Sequence, residues 1–165
     1  MKQVGIFYGS STGDTERVAM LIRDKIGQMR AVVYDIFESR IEDLEQYPFL
    51  IFGISTWGIG KMQEDWDNFL SSLKSIDFTG KKIALFGLGD QESYPDTFAD
   101  ALGILYDTLQ QYGCSISGEW PVNGYEYIHS EAERHGKFVG LVLDEKNQPE
   151  LTVKRITSWL NSLDF

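Results

Sequence analysis

The chain has 165 residues, which is enough for one domain with a hydrophobic core and too few for two domains of ordinary size. Its net charge is −10, and it has no basic run that could follow a nucleic acid backbone or an anionic membrane, so a basic protein surface is the better partner. The single cysteine, Cys114, excludes an internal disulfide and fits a reducing compartment.

The N-terminal stretch MKQVGIFYG has too few apolar residues for a signal peptide and no small-residue cleavage site. No segment is apolar over the length needed to span a membrane. We therefore expect a cytoplasmic protein that folds as a single domain over residues 1–165.

Four short runs are apolar on both faces, which is typical of parallel strands covered on both sides. They are VGIFY at 4–8, AVVYDI at 31–36, FLIFGI at 49–54 and KIALFGL at 82–88. Between and after them, apolar residues recur at helical spacing on four faces. These faces are Val18, Leu21, Ile22 and Ile26; Trp66, Phe69, Leu70 and Leu73; Phe98, Leu102, Leu105 and Leu109; and Val153, Ile156, Leu160 and Leu163. The weaker pattern RIEDLEQY at 40–47 predicts a short helix that ends before Pro48.

This alternation predicts an α/β fold, a doubly wound five-stranded parallel sheet with helices on both faces. The fifth strand is interrupted, because CSIS at 114–117 begins it and FVGLVLDE at 138–145 resumes it. The segment between them, 118–137, is predicted to be an inserted loop of about twenty residues, a length that is unusual inside a compact domain. Its two histidines, His129 and His135, are expected to be solvated.

In an open α/β sheet, ligands bind at the carboxyl ends of the strands, where the strand order reverses. Three loops of unusual composition follow strands, at 9–15, 55–62 and 87–97. The first, GSSTGDT, leads into a helix, where unpaired N–H groups and the helix dipole favour an anion. Its hydroxyl groups add neutral donors, so the loop favours a phosphate site over a simple Ser or Thr cap.

Other phosphate-binding motifs do not fit the chain. The first loop lacks the lysine of a P-loop, and GLGDQE at 87–92 lacks the third glycine of a dinucleotide fingerprint. A cysteine-dependent phosphatase would need its nucleophile in the loop. Cys114 lies far along the chain in a strand-like context, so we expect it in the core.

The other two loops supply aromatic side chains. Trp57 follows the third strand next to Gly58 and Gly60. It could cover the hydrophobic core, but the glycines favour the approach of a flat ligand. The third loop combines glycines with Tyr94 and Asp90. A phosphate site and two aromatic side chains on converging loops predict a planar heterocycle that carries a phosphate.

Taken in order, these motifs resemble the flavodoxin family over essentially the whole chain. GSSTGDT resembles the family's phosphate loop, STWGIG and GLGDQESYPDTFADALG resemble its two flavin-covering loops, and FVGLVLDEKNQPELT resembles its closing segment. The split fifth strand resembles the long-chain subgroup. The resemblance implies a strand order of 2-1-3-4-5, FMN as the cofactor and a monomeric protein.

The resemblance also implies a role for each matching residue. The first loop would enclose the FMN phosphate, Trp57 and Tyr94 would sandwich the isoalloxazine, and other loop residues would line its pyrimidine and ribityl parts. The implied cofactor-binding residues are Ser10, Ser11, Thr12, Gly13, Asp14, Thr15, Thr56, Trp57, Gly58, Ile59, Gly60, Gly89, Asp90, Tyr94 and Asp144. The Gly58 carbonyl would turn toward flavin N5 when N5 is protonated. Asp14 departs from the asparagine common in the family, and its charge would lower phosphate affinity if it pointed inward.

In function, the resemblance implies a one-electron carrier rather than an enzyme, cycling mainly between semiquinone and hydroquinone. It would pass low-potential electrons from a ferredoxin or flavodoxin NADP reductase to acceptor enzymes through their basic docking faces. One alternative stays open, an FMN oxidoreductase, whereas a receiver-type domain is disfavoured because the first strand leads into GSSTG. An FMN oxidoreductase acting on quinones or porphyrin precursors would need a substrate pocket beside the flavin, and a flavin-free receiver-type signalling domain would need an acid cluster after the first strand.

Overall fold

The computed structural model describes residues 3–165, which form ten strands, five α-helices and two short 3₁₀ helices. The strands and α-helices are β1 (Val4–Tyr8), α1 (Asp14–Ile26), β2 (Ala31–Asp35), α2 (Ile41–Glu45), β3 (Phe49–Trp57), β4 (Lys61–Met62), α3 (Glu64–Leu70), β5 (Lys82–Leu88), α4 (Asp100–Gln111), β6 (Ile116–Ser117), β7 (Trp120–Pro121), β8 (Glu133–Arg134), β9 (Lys137–Phe138), β10 (Leu141–Leu143) and α5 (Thr152–Ser162). The 3₁₀ helices are Ser71–Ser75 and Pro149–Leu151. None of the described helices is long and apolar enough to cross a membrane.

The main sheet is parallel apart from the two-residue strand β4, which pairs antiparallel with the end of β3, and its parallel strands lie in the predicted order. β2, β1, β3, β5 and β10 lie side by side, and β6 also pairs with β5. β6 pairs with Ile83 and Ala84, whereas β10 pairs with Phe86–Leu88, so the two segments follow one another along the same edge of β5. The strand order reverses at β1, because β2 lies on one side of it and β3 on the other.

Apolar side chains cover both faces of the sheet, as the composition of the strands predicts. Ile6 and Ile51 pack with α1 and α5 on one face, whereas Phe7 and Phe52 pack with α2, α3 and α4 on the other. Neighbouring residues of one strand therefore enter different cores, because strand side chains alternate. The two cores fix the ends of β1, β3 and β5 relative to one another.

The helix faces agree with the predicted ones except at α5. Val153 was expected in the core but is 49% exposed. The buried stripe of α5 instead contains Arg155, Ile156 and Trp159. Trp159 is fully buried against the sheet, and Val153 therefore lies at the edge of the buried stripe, facing solvent.

The segment 118–137 differs from the loop that its composition predicts. It contributes β7, β8 and the first residue of β9 to a small antiparallel sheet in the order β7-β9-β8. Tyr125 and Tyr127 pack against Phe98 and Phe138, with ring centroids 5.1–5.9 Å apart. The segment is thus fixed to the domain by an aromatic cluster.

The expectations that the two histidines are solvated and that the cysteine lies in the core are confirmed. His129 and His135 are exposed. Cys114 is buried, and the loss of hydration raises the pKa of its thiol to about 11. The thiol therefore belongs to the core.

Candidate functional site

A cleft opens at the carboxyl edge of the main sheet, where the three loops singled out in the sequence meet. Its lining is formed by Thr12, Asp14, Thr15, Ser55, Thr56, Trp57, Gly58, Leu88, Gly89, Asp90, Tyr94, Glu145 and Lys146. The cleft lies beside β1, where the strand order reverses. This is the position at which open α/β sheets bind ligands.

The loop between β1 and α1 presents unpaired backbone donors. Gly13, with φ +92°, is the N-cap of α1, and no side chain caps the helix. Its own N–H donates to the Ser10 hydroxyl at 2.9 Å. The N–H groups of Asp14, Thr15 and Glu16 have no acceptor within the described part of the chain. This excludes the simple Ser or Thr cap and leaves the positive end of the helix dipole beside the cleft.

Gln63 ties this loop to the helix that follows the second loop. Its side chain is 1% exposed, and its Nε2 donates to the Ser11 hydroxyl at 3.1 Å. Its Oε1 accepts from the N–H groups of Asp65 and Trp66, which caps α3. The sequence pattern does not single out Gln63, because only the folded chain brings it to Ser11.

Asp14, at the N-terminus of α1, has a cation beside it. Arg17, one turn further along α1, has its Nη2 3.6 Å from Asp14 Oδ1. The same Nη2 donates a hydrogen bond to Glu145, and this bond raises the pKa of Arg17. Asp14 therefore lines the cleft with a cation beside it.

Trp57 forms one aromatic wall of the cleft. It is 38% exposed, and its indole Nε1 donates to the Ser55 hydroxyl at 2.9 Å. The chain reverses directly after it in a β3–β4 hairpin, with φ +49° at Gly58 and +76° at Gly60. Both values lie in the left-handed region that favours glycine. The turn thus holds an exposed indole on a short, well-defined hairpin.

The hairpin is also tied to α4. The hydroxyl of Thr56 accepts from the N–H of Ala101 at 3.0 Å, so it satisfies a donor in the first turn of that helix. Ile59 at the tip of the turn is 81% exposed. Thr56 therefore fixes the base of the hairpin, whereas Ile59 lies outside the cleft lining.

Tyr94, which is 42% exposed, lies on the loop after β5. Asp90 organises this loop, because its carboxylate accepts from the Ser93 N–H and the Asn147 amide, each at 2.9 Å. Partial burial raises the pKa of Asp90, but these hydrogen bonds outweigh it and hold the pKa below its usual value. Asp90 thus lines the cleft and also positions the loop that carries Tyr94.

The predicted role of Asp144 needs correction. Asp144 is fully buried and absent from the cleft lining. Its carboxylate accepts from the backbone and side chain of Gln91 at 3.0 and 2.7 Å, and from the Asn147 side chain at 2.9 Å. It connects the loops after β5 and β10. The following residues, Glu145 and Lys146, line the cleft in its place.

Nine of the predicted residues meet in the lining: Thr12, Asp14, Thr15, Thr56, Trp57, Gly58, Gly89, Asp90 and Tyr94. Six others lie outside it: Ser10, Ser11, Gly13, Ile59, Gly60 and Asp144. Four lining residues were not among the predicted ones: Ser55, Leu88, Glu145 and Lys146. Ser55 and Leu88 lie within the predicted loops, and a signal for the other two exists. The loop after β10 also leaves the carboxyl edge of the sheet, as the three chosen loops do.

The strand order and the position of the cleft define a doubly wound α/β protein of the flavodoxin-like class. Comparison with known proteins narrows this class. The model of the flavodoxin family matches residues 6–159. The chain therefore belongs to the flavodoxin family, and the prediction of that family is confirmed.

Individual relatives agree with this assignment. A flavodoxin of Nostoc sp. is 47% identical over 162 residues, which cover 98% of this chain and 95% of the relative. Flavodoxin 1 of Escherichia coli is 47% identical over 164 residues, with 99% and 93% coverage. The crystal structure of Fusobacterium nucleatum flavodoxin bound to flavin mononucleotide has a TM-score of 0.91 and 34% identity, and the match covers 98% of this chain and 96% of that one.

Proposed function

We propose that the chain binds FMN in this cleft and carries electrons one at a time between redox partners. One observation carries the proposal. The cleft joins a helix N-terminus with unpaired N–H donors to two half-exposed aromatic side chains, Trp57 and Tyr94. The parts of FMN, a phosphate and a planar ring system, match these two ends.

The residues present fit the two parts of the cofactor. The N–H groups of the first turn of α1, with the side chains of Thr12 and Thr15 in the lining, would hold the phosphate. Trp57 and Tyr94 would cover the ring and keep water from it. When bound, FMN supplies the redox chemistry, because it accepts and releases single electrons.

The side chains around the cleft favour a carrier over an enzyme. Two of the three carboxylates in the lining, those of Asp90 and Glu145, accept hydrogen bonds that hold loops together, and the third, Asp14, lies beside the Arg17 guanidinium. Asp90 accepts from Ser93 and Asn147, and Glu145 is bonded to Arg17 and Thr152. These groups position the walls rather than offering a free acid or base to a substrate.

The partners are inferred to be a reductase and acceptor enzymes with basic docking faces. The net charge of −10 favours encounter with such faces and repels acidic ones. Electron transfer between this chain and a basic partner should therefore slow as the ionic strength rises, because salt screens the attraction.

Reductive titration of the purified protein, followed by absorbance, tests the proposal. We expect a yellow protein that releases FMN on denaturation and takes up two electrons in two resolved steps. Turnover of NADPH should require an added reductase. A protein that binds no flavin, or that oxidises NADPH by itself, contradicts the proposal.

A matched pair of variants tests the position of the ring. Trp57→Ala removes an aromatic wall, and we expect it to weaken FMN binding roughly tenfold, as loss of one stacking partner does. Phe37→Ala is the control, because Phe37 is 75% exposed and outside the lining. Equal FMN affinity of the two variants would place the ring elsewhere.

A further inference from the structure

The phosphate end of the cleft contains two carboxylates. This end is the part of the cleft beside the N-terminus of α1. Both carboxylates line the cleft. Asp14 lies on α1 itself, and Glu145, on the loop after β10, reaches α1 through its hydrogen bond with Arg17. Two negative charges beside a bound phosphate oppose binding of that phosphate. A phosphate site with this composition needs a feature that compensates them.

Arg17 lies between these two carboxylates. Its Nη2 is 3.6 Å from Asp14 Oδ1 and donates a hydrogen bond to Glu145 Oε2. The other oxygen of Glu145 accepts from the hydroxyl of Thr152, so both oxygens are engaged. The Glu145 side chain is only 6% exposed, whereas that of Arg17 is 52% exposed and absent from the cleft lining.

We propose that Arg17 is a positioning residue that makes the site selective for the phosphorylated flavin, by neutralising Asp14 and holding Glu145 away from the phosphate. The inference rests on the proposed function. It concerns the phosphate end only, because the aromatic walls lie on other loops. Arg17 acts through the carboxylates and leaves the phosphate to the backbone donors of α1.

Charge counting gives the expected effect. Arg17, Asp14 and Glu145 together carry −1, and loss of Arg17 makes this −2 and frees one side of Glu145. A unit charge near an anion in a partly exposed site changes its affinity roughly tenfold. Riboflavin has no phosphate, so its affinity should hardly change.

The test measures the dissociation constants of FMN and riboflavin for the full chain freed of flavin, by quenching of flavin fluorescence. Arg17→Gln should raise the dissociation constant of FMN roughly tenfold at low salt, and by less at high salt, because salt screens charges. Arg17→Lys keeps the cation and should restore much of the loss. The double variant Asp14→Asn with Arg17→Gln should also recover FMN affinity.

Arg23→Gln is the matched control. Arg23 lies six residues further along α1, about 9 Å along the axis, and its guanidinium pairs with Asp24 at 2.9 Å. This variant changes the net charge of the chain by the same amount. It should leave the ratio of the two affinities as it is in the unaltered chain.

The outcomes separate the inference from the proposed function. If the unaltered chain binds neither flavin, the proposed function is wrong and the inference falls with it. Only the inference is overturned if the chain binds FMN but Arg17→Gln lowers the affinities for FMN and riboflavin equally. The same holds if Arg17→Gln lowers the affinity for FMN no more than Arg23→Gln does.

Discussion

Replacing Gln63 by methionine should loosen the connection between the phosphate loop and the helix after the Trp57 hairpin. The side chain is 1% exposed and makes four hydrogen bonds. Its Oε1 accepts from the N–H groups of Asp65 at 3.1 Å and Trp66 at 3.3 Å. Its Nε2 donates to Ser11 Oγ at 3.1 Å and to Asp65 Oδ2 at 2.9 Å. Methionine has a similar length and volume but forms none of these bonds.

The cost follows from these contacts. Loss of the cap of α3 costs about 1 kcal/mol. Loss of the two bonds made by Nε2 costs about 0.5–1.5 kcal/mol each, because Ser11 and Asp65 then depend on water. Burial of the methionine methyl group offsets part of this. We expect Gln63→Met to lower the free energy of unfolding by about 2 kcal/mol.

Urea denaturation of the full chain measures this change. Gln46→Met is the control, because Gln46 is exposed and makes one bond, to the Glu42 carbonyl at 3.2 Å; its change should stay within about 0.5 kcal/mol. The affinity ratio of FMN to riboflavin should also fall for Gln63→Met, since the loop that carries Ser11 loses its support. Equal losses of stability in the two variants would refute the reasoning. An unchanged affinity ratio would limit Gln63 to capping α3.

Three further predictions follow from the backbone and the titratable groups. Gly58→Ala and Gly80→Ala should each lower the free energy of unfolding by about 1 kcal/mol, because both glycines have positive φ and open space for a Cβ. Only Gly58→Ala should change the separation of the two one-electron reduction potentials. The pKa of Asp90 is lower in the folded chain than in the unfolded chain, where it is about 3.9. The carboxylate therefore stabilises the fold fully at pH values above about 3.9, and this stabilisation is lost as the pH falls through the folded-state pKa. Asp90→Asn should therefore lower the urea midpoint at pH 7 and have little effect in strong acid. The Cys114 thiol, with a pKa of about 11, should react with a disulfide reagent at pH 8 at least roughly a hundred times more slowly than in denaturant.

The strands and the cleft could be predicted because their signals are local. The runs at 4–8 and 82–88 coincide with β1 and β5, since a buried parallel strand must be apolar along its length. The loop at 9–15 and the positions of Trp57 and Tyr94 follow from the rule that loops at the carboxyl edge meet. These conclusions need no knowledge of side-chain direction.

The contacts that hold the loops together could not be predicted, because they depend on side-chain direction across the fold. Asp144 and Glu145 are adjacent acids, yet one is buried against Gln91 and the other lines the cleft. Gln63 meets Ser11 across 52 positions of sequence. The short strands β7–β9 escaped prediction for another reason, since two residues are too few to show a period of alternation.

The charge pattern at the phosphate end also bears on redox chemistry. Backbone donors can hold a phosphate without cancelling its charge, and the cation in the first turn of α1, Arg17, pairs with Asp14 and Glu145 instead. Lys146 lines the cleft but is exposed, so water and salt screen it. Reduction of bound FMN would place a second negative charge on the ring. At about 7 Å from the phosphate and an effective dielectric constant near 20, the repulsion between the two charges would cost roughly 2 kcal/mol, or on the order of 100 mV for one electron. An arrangement that selects the phosphorylated ligand while leaving its charge in place thus favours a low reduction potential.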